Sequence, residues 1–162
     1  MSKIFHEPNE KFMEIAIKWG RKNIKKMDGG PFGACIIKNN KVIAASKNNV
    51  LKSNATAHAE VLAIQKASKK LNTYSLKDCI IYSTTEPCPM CFSAIHWAGI
   101  EQIVFGTNIN DVAKIGFNEM MISNKKLRSL AKINTTITKG FLYSKCKKLL
   151  DDWNAVSNHC VY

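Results

Sequence analysis

Apolar and polar positions divide the first part of the chain into segments with helical and strand periodicity. From about Glu10 to Met27, apolar residues recur at helical spacing on one face, which predicts an amphipathic helix. Two apolar runs follow, at 33–38 and 41–47, and only Asn39-Asn40 separates them. Two strand-like runs joined by two turn-forming residues predict a β-hairpin.

The next apolar runs alternate between helix and strand. Thr56 is placed to cap a helix over 57–70, and β-branched residues at 79–84 predict a strand. Pro87 suits the first turn of a helix that reaches about residue 98, and residues 102–106 predict another strand. Strand–helix–strand alternation implies parallel pairing with crossover helices.

Beyond Gly106 the periodicity weakens. Residues 108–118 are typical of a loop with a short helical piece, and residues 135–138 indicate a fifth strand. An amphipathic segment at 143–155 predicts a final helix, whereas residues 157–162 show no periodicity.

Length and composition fit one soluble globular domain over 1–162. The chain has 162 residues, of which 46% are hydrophobic and 22% are charged. No run approaches the roughly 18 apolar residues of a membrane span. The first eight residues lack the apolar stretch of a secretory signal. We therefore expect a cytoplasmic protein without a membrane partner.

The net charge departs most from the average. Twenty-four Lys and Arg stand against twelve Asp and Glu, a formal net charge of +12, which raises nucleic acid as a partner. Only Arg21 and Arg128 carry the guanidinium group that makes forked contacts with bases and phosphates. The charge therefore favours a lysine-rich surface composition, and a nucleic-acid interface stays open as the alternative.

Two short motifs carry the candidate chemistry, His58-Ala59-Glu60 and Pro87-Cys88-Pro89-Met90-Cys91. Imidazole and thiolate are zinc ligands, and a Cys-x-x-Cys pair at a helix start can point both sulfurs at one ion. The helix N-terminus also lowers the pKa of a thiol. His58, Cys88 and Cys91 thus supply three protein ligands and leave a fourth position for water or hydroxide, as a catalytic zinc requires.

Glu60 lies two residues beyond His58, in the same predicted helical turn. Side chains two apart diverge around a helix, so Glu60 is poorly placed to share the metal but can reach its water. A carboxylate there takes the water proton and returns it to a leaving group. Either motif alone is weak, but the two in this order and structural context indicate a zinc-dependent nucleobase deaminase.

With these motifs the chain resembles the cytidine-deaminase-like superfamily, whose members replace an amino group on a base ring by oxygen. The resemblance covers nearly the whole chain. It implies an α/β fold, a three-layer α/β/α sandwich around a central five-stranded mixed sheet. It also implies one zinc ion (Zn2+) per subunit, whose hydroxide attacks the amino-bearing carbon, with Glu60 as the catalytic proton shuttle.

Two branches of that superfamily compete. The tRNA adenosine deaminases act on a flipped anticodon base, and the net charge of +12 favours them. The bacterial-type guanine deaminases convert free guanine to xanthine. More stretches of this chain resemble the second branch: Gly29–Ala34, Asn48–Val50, Ala94–Ala98 and Asp111–Glu119. We therefore expect a guanine deaminase, with tRNA adenosine deamination as the alternative.

The resemblance to guanine deaminases implies roles for single residues. Phe32 would lie beside the base, and Asn48 would hydrogen-bond its ring, although the tRNA enzymes share an Asn there. Ala59 and Trp97 would border the substrate. Glu119 matches an acidic residue that enters the pocket, where it would accept hydrogen bonds from the base and serve as a second catalytic acid or base.

The C-terminal segment resembles the guanine-type family too, with Trp153 shortly before a terminal Tyr162. In that family the tail is exchanged between two subunits. The resemblance therefore implies a homodimer in which residues from about 143 to 162 are swapped and Tyr162 closes the partner's pocket. Such a lid suits a free base better than a tRNA loop. The loop Asn54-Ala55-Thr56 departs from the family, which usually has an Asp-Pro element there.

A third interpretation belongs to a different class of protein. A basic nucleic-acid-binding protein with a structural zinc would fill the fourth coordination position with a protein ligand. No fourth Cys or His lies at a convincing spacing from Cys88 and Cys91. This makes the structural-zinc interpretation the weakest of the three.

Overall fold

The computed structural model describes residues 6–162. Within that range no helix is long and apolar enough to cross a membrane. A short 3-10 helix spans Val50–Lys52. The helices and strands are α1 (Glu10–Lys26), β1 (Gly33–Lys38), β2 (Lys41–Lys47), α2 (Ala59–Leu71), β3 (Cys79–Thr85), α3 (Pro89–Trp97), β4 (Gln102–Thr107), α4 (Ile109–Lys114), α5 (Asn124–Ala131), β5 (Thr136–Thr138) and α6 (Tyr143–Asn154).

The five strands form one mixed sheet in the order β2-β1-β3-β4-β5. β1 pairs antiparallel with β2 and with β3, whereas β3 with β4 and β4 with β5 are parallel. Asn39 and Asn40 both have positive φ and form the turn between β1 and β2, because a two-residue hairpin loop with this twist requires that conformation. The predicted hairpin and the predicted mixed sheet are confirmed.

Alternate residues of the central strands serve two hydrophobic cores, one on each face of the sheet. Cys35 and Ile37 of β1 pack in a core with α1 and α6, while Ala34 and Ile36 pack in a core with α2 and α3. β3 is buried along its whole length, since helices cover both of its faces. The result is the three-layer α/β/α sandwich that the sequence predicts.

Two helices begin later than the sequence predicts. His58 and Cys88 are the residues that precede the first helical positions of α2 and α3, in place of Thr56 and a start at Pro87. The Thr56 hydroxyl donates to Asn54 Oδ1 at 2.6 Å. That hydrogen bond turns the loop before the helix begins, so Thr56 does not cap it.

The region after β4 contains one helix that the sequence analysis misses. α4 corresponds to the short helical piece expected within 108–118, and β5 to the expected fifth strand. Asn124 is the only fully buried residue of α5, and Leu127 packs partly buried against the core. The Ser123 side chain accepts from Lys126 N and caps this helix, and that capping residue is the signal that could have revealed it.

Candidate active site

His58, Cys88 and Cys91 converge where α2 and α3 begin. Their ligand atoms all lie within 4.8 Å of one another, and Cys88 Sγ is 3.7 Å from His58 Nδ1. Zinc bonds of about 2.0–2.3 Å at a tetrahedral angle would separate such a nitrogen and sulfur by about 3.6 Å. Within the described residues no fourth ligand belongs to this cluster. The donor set and its spacing therefore fit a zinc ion held by three protein ligands.

The local fold turns these side chains toward one point. His58 and Cys88 hold the N-cap positions of α2 and α3, yet neither side chain caps its helix. An N-cap side chain ordinarily accepts a hydrogen bond from the helix backbone, and here both are directed at the cluster instead. Pro89 opens α3 at a position where its missing N–H costs no hydrogen bond. Cys91 follows in the first turn and is fully buried.

The two thiols of the cluster differ in protonation. The hydrogen bond with Cys91, helped by His58 and opposed by burial, lowers the pKa of Cys88 to about 4. The same contact, together with burial, raises the pKa of Cys91 well above its usual range. Burial lowers the pKa of His58, but its contacts with Cys88 and Glu60 outweigh that effect and raise it. Cys88 is therefore a thiolate at neutral pH, the form that binds metal.

Glu60 lies beside the metal cluster, with 3% of the residue exposed. Ser83 Oγ donates to its Oε1 at 2.8 Å, and Cys91 Sγ donates to its Oε2 at 3.5 Å. Burial raises the pKa of Glu60, although the positive charge of His58 opposes the shift. A carboxyl group whose pKa moves toward neutrality is suited to both accept and donate a proton.

The cluster opens into a cavity of about 240 Å³, which we call the first cavity. It combines metal ligands, carboxylates and aromatic walls in one small space. Its lining includes Phe32, His58, Glu60, Cys88, Phe117, Glu119, Met120 and Tyr162.

Glu119 is a further carboxylate of the first cavity, which Glu60 and Glu86 also line. Burial and the negative charge of Cys88 raise its pKa to about 7, and the charge of His58 only partly opposes this. Glu119 thus lines the pocket, and its part in substrate binding and catalysis stays a prediction. A group with this pKa exists in both protonation states near pH 7.

Tyr162 closes one side of the first cavity of its own chain. Its ring packs edge-on against Phe117 with centroids 5.2 Å apart. Its hydroxyl donates to Asn48 Oδ1 at 2.7 Å and accepts from Gly30 N at 3.0 Å, and its carbonyl accepts from Asn118 N at 3.1 Å. The sequence predicts that this tail closes a partner's pocket; the single chain makes the contacts within itself, and the exchange stays a prediction.

Gly29 and Gly30 make these contacts sterically possible. A Cβ atom on Gly29 would lie 2.1 Å from Asn48 Oδ1, and one on Gly30 would lie 2.3 Å from the Phe32 ring. Only a residue without a side chain fits at either position. This close approach is the physical reason for the Gly-Gly pair before Phe32.

Three predicted residues lie outside the lining of the first cavity. Asn48 is fully buried behind it, where Tyr162 bonds to it. Ala59 is fully buried in the core between sheet and helices. Trp97 is 82% exposed and lies six residues beyond Cys91, about 9 Å along α3. Within a single chain Trp97 does not reach the first cavity, and its role beside the substrate stays a prediction.

Two side chains that shape the site, Ser83 and Phe117, carry no signal in the sequence. Ser83 orients Glu60 from β3, and nothing in a buried strand distinguishes it from a packing residue. Phe117 lies edge-on to Phe32 at 5.0 Å and stacks on Trp153 at 5.1 Å. It comes from a loop without periodicity, so only the three-dimensional packing reveals its role.

Comparison with known proteins agrees with this geometry. The guanine deaminase of Bacillus subtilis (strain 168) is 44% identical over 115 residues, which cover 70% of this chain and 74% of that protein. The tRNA-specific adenosine deaminase of Buchnera aphidicola subsp. Baizongia pistaciae (strain Bp) is 34% identical over 151 residues, 91% of this chain and 89% of that protein. The solved structure of a guanine deaminase from Nitrosomonas europaea superposes with a TM-score of 0.82 at 32% identity, covering 95% and 88% of the two chains.

A family profile covers the metal site itself. The profile described as "Cytidine and deoxycytidylate deaminase zinc-binding region" matches residues 6–107, which is more than half of the chain. That range includes all three metal ligands and Glu60. The chain therefore belongs to the cytidine and deoxycytidylate deaminase family of zinc-binding domains.

Proposed function

We propose that this protein is a zinc-dependent guanine deaminase, which hydrolyses guanine to xanthine and ammonia. The observation that carries the proposal is a cavity of about 240 Å³ that joins the zinc ligand set to the buried Glu60 and to Glu119. Tyr162 closes this cavity, which suits a free base. The similarity to two guanine deaminases supports the same substrate.

Proton transfer falls to Glu60. Zinc, when held by His58, Cys88 and Cys91, supplies a Lewis acid that lowers the pKa of water and so makes a nucleophile available at neutral pH. Glu60 accepts one proton of the attacking water and delivers it to the ring nitrogen. It then takes the proton of the new hydroxyl group and donates it to the amino group, which leaves as ammonia. One water is consumed, a carbon–oxygen bond forms and the carbon–nitrogen bond breaks. The Ser83 hydroxyl holds Glu60 in position by donating to Oε1.

Base recognition falls to residues around the metal cluster. Asn48 Nδ2 is buried without a partner among the described residues, and an unpaired donor of this kind is stabilised when an acceptor of the base reaches it. Glu119 supplies a carboxylate for the N–H groups of guanine, and Phe32 supplies an aromatic wall for the ring.

The decisive assay is ammonia release by the zinc-loaded protein from guanine, guanosine, adenine, cytidine and a tRNA anticodon stem-loop. We expect turnover of guanine and little of guanosine or the stem-loop, because the first cavity is small and Tyr162 bounds one side of it. Adenine and cytidine should also react little, because neither offers Glu119 the ring N–H and neighbouring amino group of guanine. The control is the unsubstituted protein after its zinc has been removed, which should be inactive on every substrate. Turnover of the stem-loop alone would reject the proposal.

A second candidate function is deamination of adenosine in tRNA. It is favoured by the 34% identity to a tRNA-specific adenosine deaminase over 91% of this chain, and by the net charge of +12. The same metal cluster and Glu60 would perform that reaction. The stem-loop arm of the assay separates the two candidates directly.

We also propose that the protein is a homodimer in which about 143–162 is exchanged. The contacts of Tyr162 with Asn48, Gly30 and Asn118 are equally available to a tail that arrives from a second copy. Trp97, with 82% of its surface exposed, leaves apolar area for a subunit contact.

Co-expression of two inactive chains tests the exchange. One chain carries Glu60→Gln with an intact tail, and the other keeps Glu60 but lacks Ser157–Tyr162. If the tail is exchanged, the mixed dimer contains one complete site and regains activity. If each chain uses its own tail, every site lacks one part and the mixture stays inactive, which rejects the exchange.

We place the enzyme in the cytoplasm. All six cysteines are free thiols, and Cys160 is exposed. Unpaired cysteines are typical of a reducing compartment. Fractionation of the native cells should recover guanine deaminase activity with cytoplasmic markers, and recovery with secreted proteins would contradict this placement.

A further inference from the structure

A second cavity of about 680 Å³ lies on the far side of Glu86 from the metal cluster. It lies between the end of β4, the exposed side of α5 and the turn that joins β5 to α6. Glu86 lines both cavities, but no metal ligand and neither Glu60 nor Glu119 lines the second one. It is therefore a separate site from the one that performs the proposed chemistry.

The second cavity is lined by three cations, Lys125, Arg128 and Lys139. They come from a stretch, 120–150, that holds eight Lys and Arg and no Asp or Glu. Elsewhere in that stretch, lysines of α6 form ion pairs with acidic residues of α1 and α6. Lys125 and Lys139 have no ion-pair partner among the described residues, so their charge is available to a ligand.

The acidic groups near the second cavity are already engaged. Glu86 is buried, and its two carboxylate oxygens accept from Asn124 N at 2.7 Å and from Ile109 N at 3.4 Å. Asp111 lies behind the lining, where it accepts from Tyr143 Oη at 3.1 Å and from Asn108 N at 3.0 Å. The lining therefore sets three cations against one carboxylate, Glu86, a formal net charge of +2.

We propose that the second cavity binds an organic phosphate of the size of a nucleoside monophosphate. Lys125, Arg128 and Lys139 would hold the phosphate group, since cations and hydroxyl groups are its usual partners. Phe105 and Ile137 give the cavity an apolar wall for the rest of the ligand. The volume lies in the range of about 300–1,000 Å³ that small-molecule sites occupy.

The shape of the site favours a small molecule over a nucleic acid. A nucleic-acid surface spreads its cations along a track of many phosphates, whereas here the three cations line a single cavity. The site also carries only one guanidinium, on Arg128, and that group donates to Thr135 O at 3.3 Å. An RNA ligand is an outcome that the experiment distinguishes.

Calorimetric titration of the zinc-loaded protein with GMP, guanosine and inorganic phosphate tests the proposal. We expect GMP to bind at least tenfold more tightly than either of its parts. The double variant Lys125→Ala/Lys139→Ala should weaken GMP binding at least tenfold, and neither lysine makes an ion pair whose loss would disturb the fold. Lys69→Ala/Lys70→Ala removes the same charge from exposed residues of α2 and should change the affinity less than twofold.

A variant of the first cavity separates the two sites. Glu119→Ala should leave GMP binding unchanged, whether or not guanine is the substrate. The experiment therefore distinguishes a failure of GMP to bind in the second cavity from a failure of the protein to deaminate guanine. Equal losses in both lysine variants would reduce the effect to net charge and overturn the site. Guanosine or inorganic phosphate binding as tightly as GMP would also overturn it, as would displacement of GMP by an RNA stem-loop at tenfold lower concentration.

Discussion

The two sides of the first cavity are built from different kinds of structure. On one side, the metal floor holds the reacting groups at the first turns of α2 and α3. The floor consists of His58, Glu60, Cys88 and Cys91. On the other side, every residue of the roof lies outside helices and strands. The roof consists of Phe32, Phe117, Glu119 and Tyr162.

We infer from this difference that the floor performs the chemistry and that the roof selects the substrate. The floor is fixed by helix starts and by buried hydrogen bonds such as Ser83 to Glu60, so its geometry follows from the fold. The roof is held by ring packing around Phe117 and by the hydroxyl of Tyr162. Loops on a rigid scaffold vary without disturbing it, and one floor is therefore compatible with several roofs and several substrates.

The largest expected effect comes from the floor. Glu60→Gln keeps the size of the side chain and removes the transferable proton. We expect kcat on guanine to fall by about 10²–10⁴-fold, the contribution of a positioned acid–base group. Zinc content should stay at one ion per chain, since Glu60 is not a ligand. Kinetics and metal analysis of the same preparation provide both readings, and a variant with more than a tenth of the original kcat would refute the shuttle role.

The second prediction changes the acidic residue of the roof. Glu119→Gln should lower kcat/KM for guanine by about 5–150-fold, because a buried polar group of the substrate that loses its partner costs about 1–3 kcal/mol. Steady-state kinetics measure the loss, and Glu7→Gln on the exposed N-terminal segment is the matched control. A variant with unchanged kcat/KM would remove Glu119 from substrate recognition.

A smaller effect is expected when one hydroxyl is removed from the roof. Tyr162→Phe loses the bonds to Asn48 and Gly30 but keeps the ring against Phe117. A lost hydrogen bond of this kind is worth about 0.5–1.5 kcal/mol, so KM for guanine should rise by about 2–12-fold while zinc content stays constant. Loss of zinc in this variant would show that floor and roof are not separable.

The smallest effect concerns the support beneath the roof. Asp28 is buried. Its Oδ2 lies 2.6 Å from Lys47 Nζ, and its Oδ1 lies 2.8 Å from Lys52 Nζ. Hydrogen bonds with Lys47 and Lys52 lower the pKa of Asp28 from 3.8 to about 2. The unfolded chain binds this proton more readily than the folded chain, so the stabilisation is present above pH 3.8 and is lost as the pH falls toward 2.

Denaturant unfolding between pH 2 and pH 6 measures that contribution. Asp28→Asn should flatten the decline of the unfolding free energy between about pH 4 and pH 2 relative to the original chain. Asp78→Asn, at a turn residue with positive φ before β3, is the control that should retain the decline. An unaltered slope in Asp28→Asn would exclude Asp28 as its source.

The floor could be predicted from sequence because its parts are close in the chain and fixed to regular elements. Cys88 and Cys91 are three apart at a helix start, and His58 and Glu60 are two apart at another. Few residue types bind zinc, so these residues at this spacing already indicate the positions of the metal ligands. The prediction that Thr56 caps α2 is wrong, but the metal ligands follow from the motifs all the same.

The roof depends on contacts between distant positions, and sequence reasoning found only part of it. Resemblance pointed to Phe32, Glu119 and Tyr162, whereas the central ring, Phe117, carries no periodic signal. Trp97, which the same resemblance indicates, lies outside the first cavity of the single chain, so its role stays a prediction. The packing of loops depends on the whole fold, so the position of Phe117 is visible only in the three-dimensional structure.

The most direct test of the division between floor and roof is the ratio of kcat/KM for guanine to kcat/KM for a tRNA anticodon stem-loop. It is measured on the full chain and on a chain that lacks Ser157–Tyr162. We expect the full chain to turn over guanine and not the stem-loop, and the truncated chain to keep its zinc while losing at least tenfold in guanine turnover. Stem-loop turnover that exceeds guanine turnover, or guanine kinetics that truncation leaves unchanged, would contradict this account.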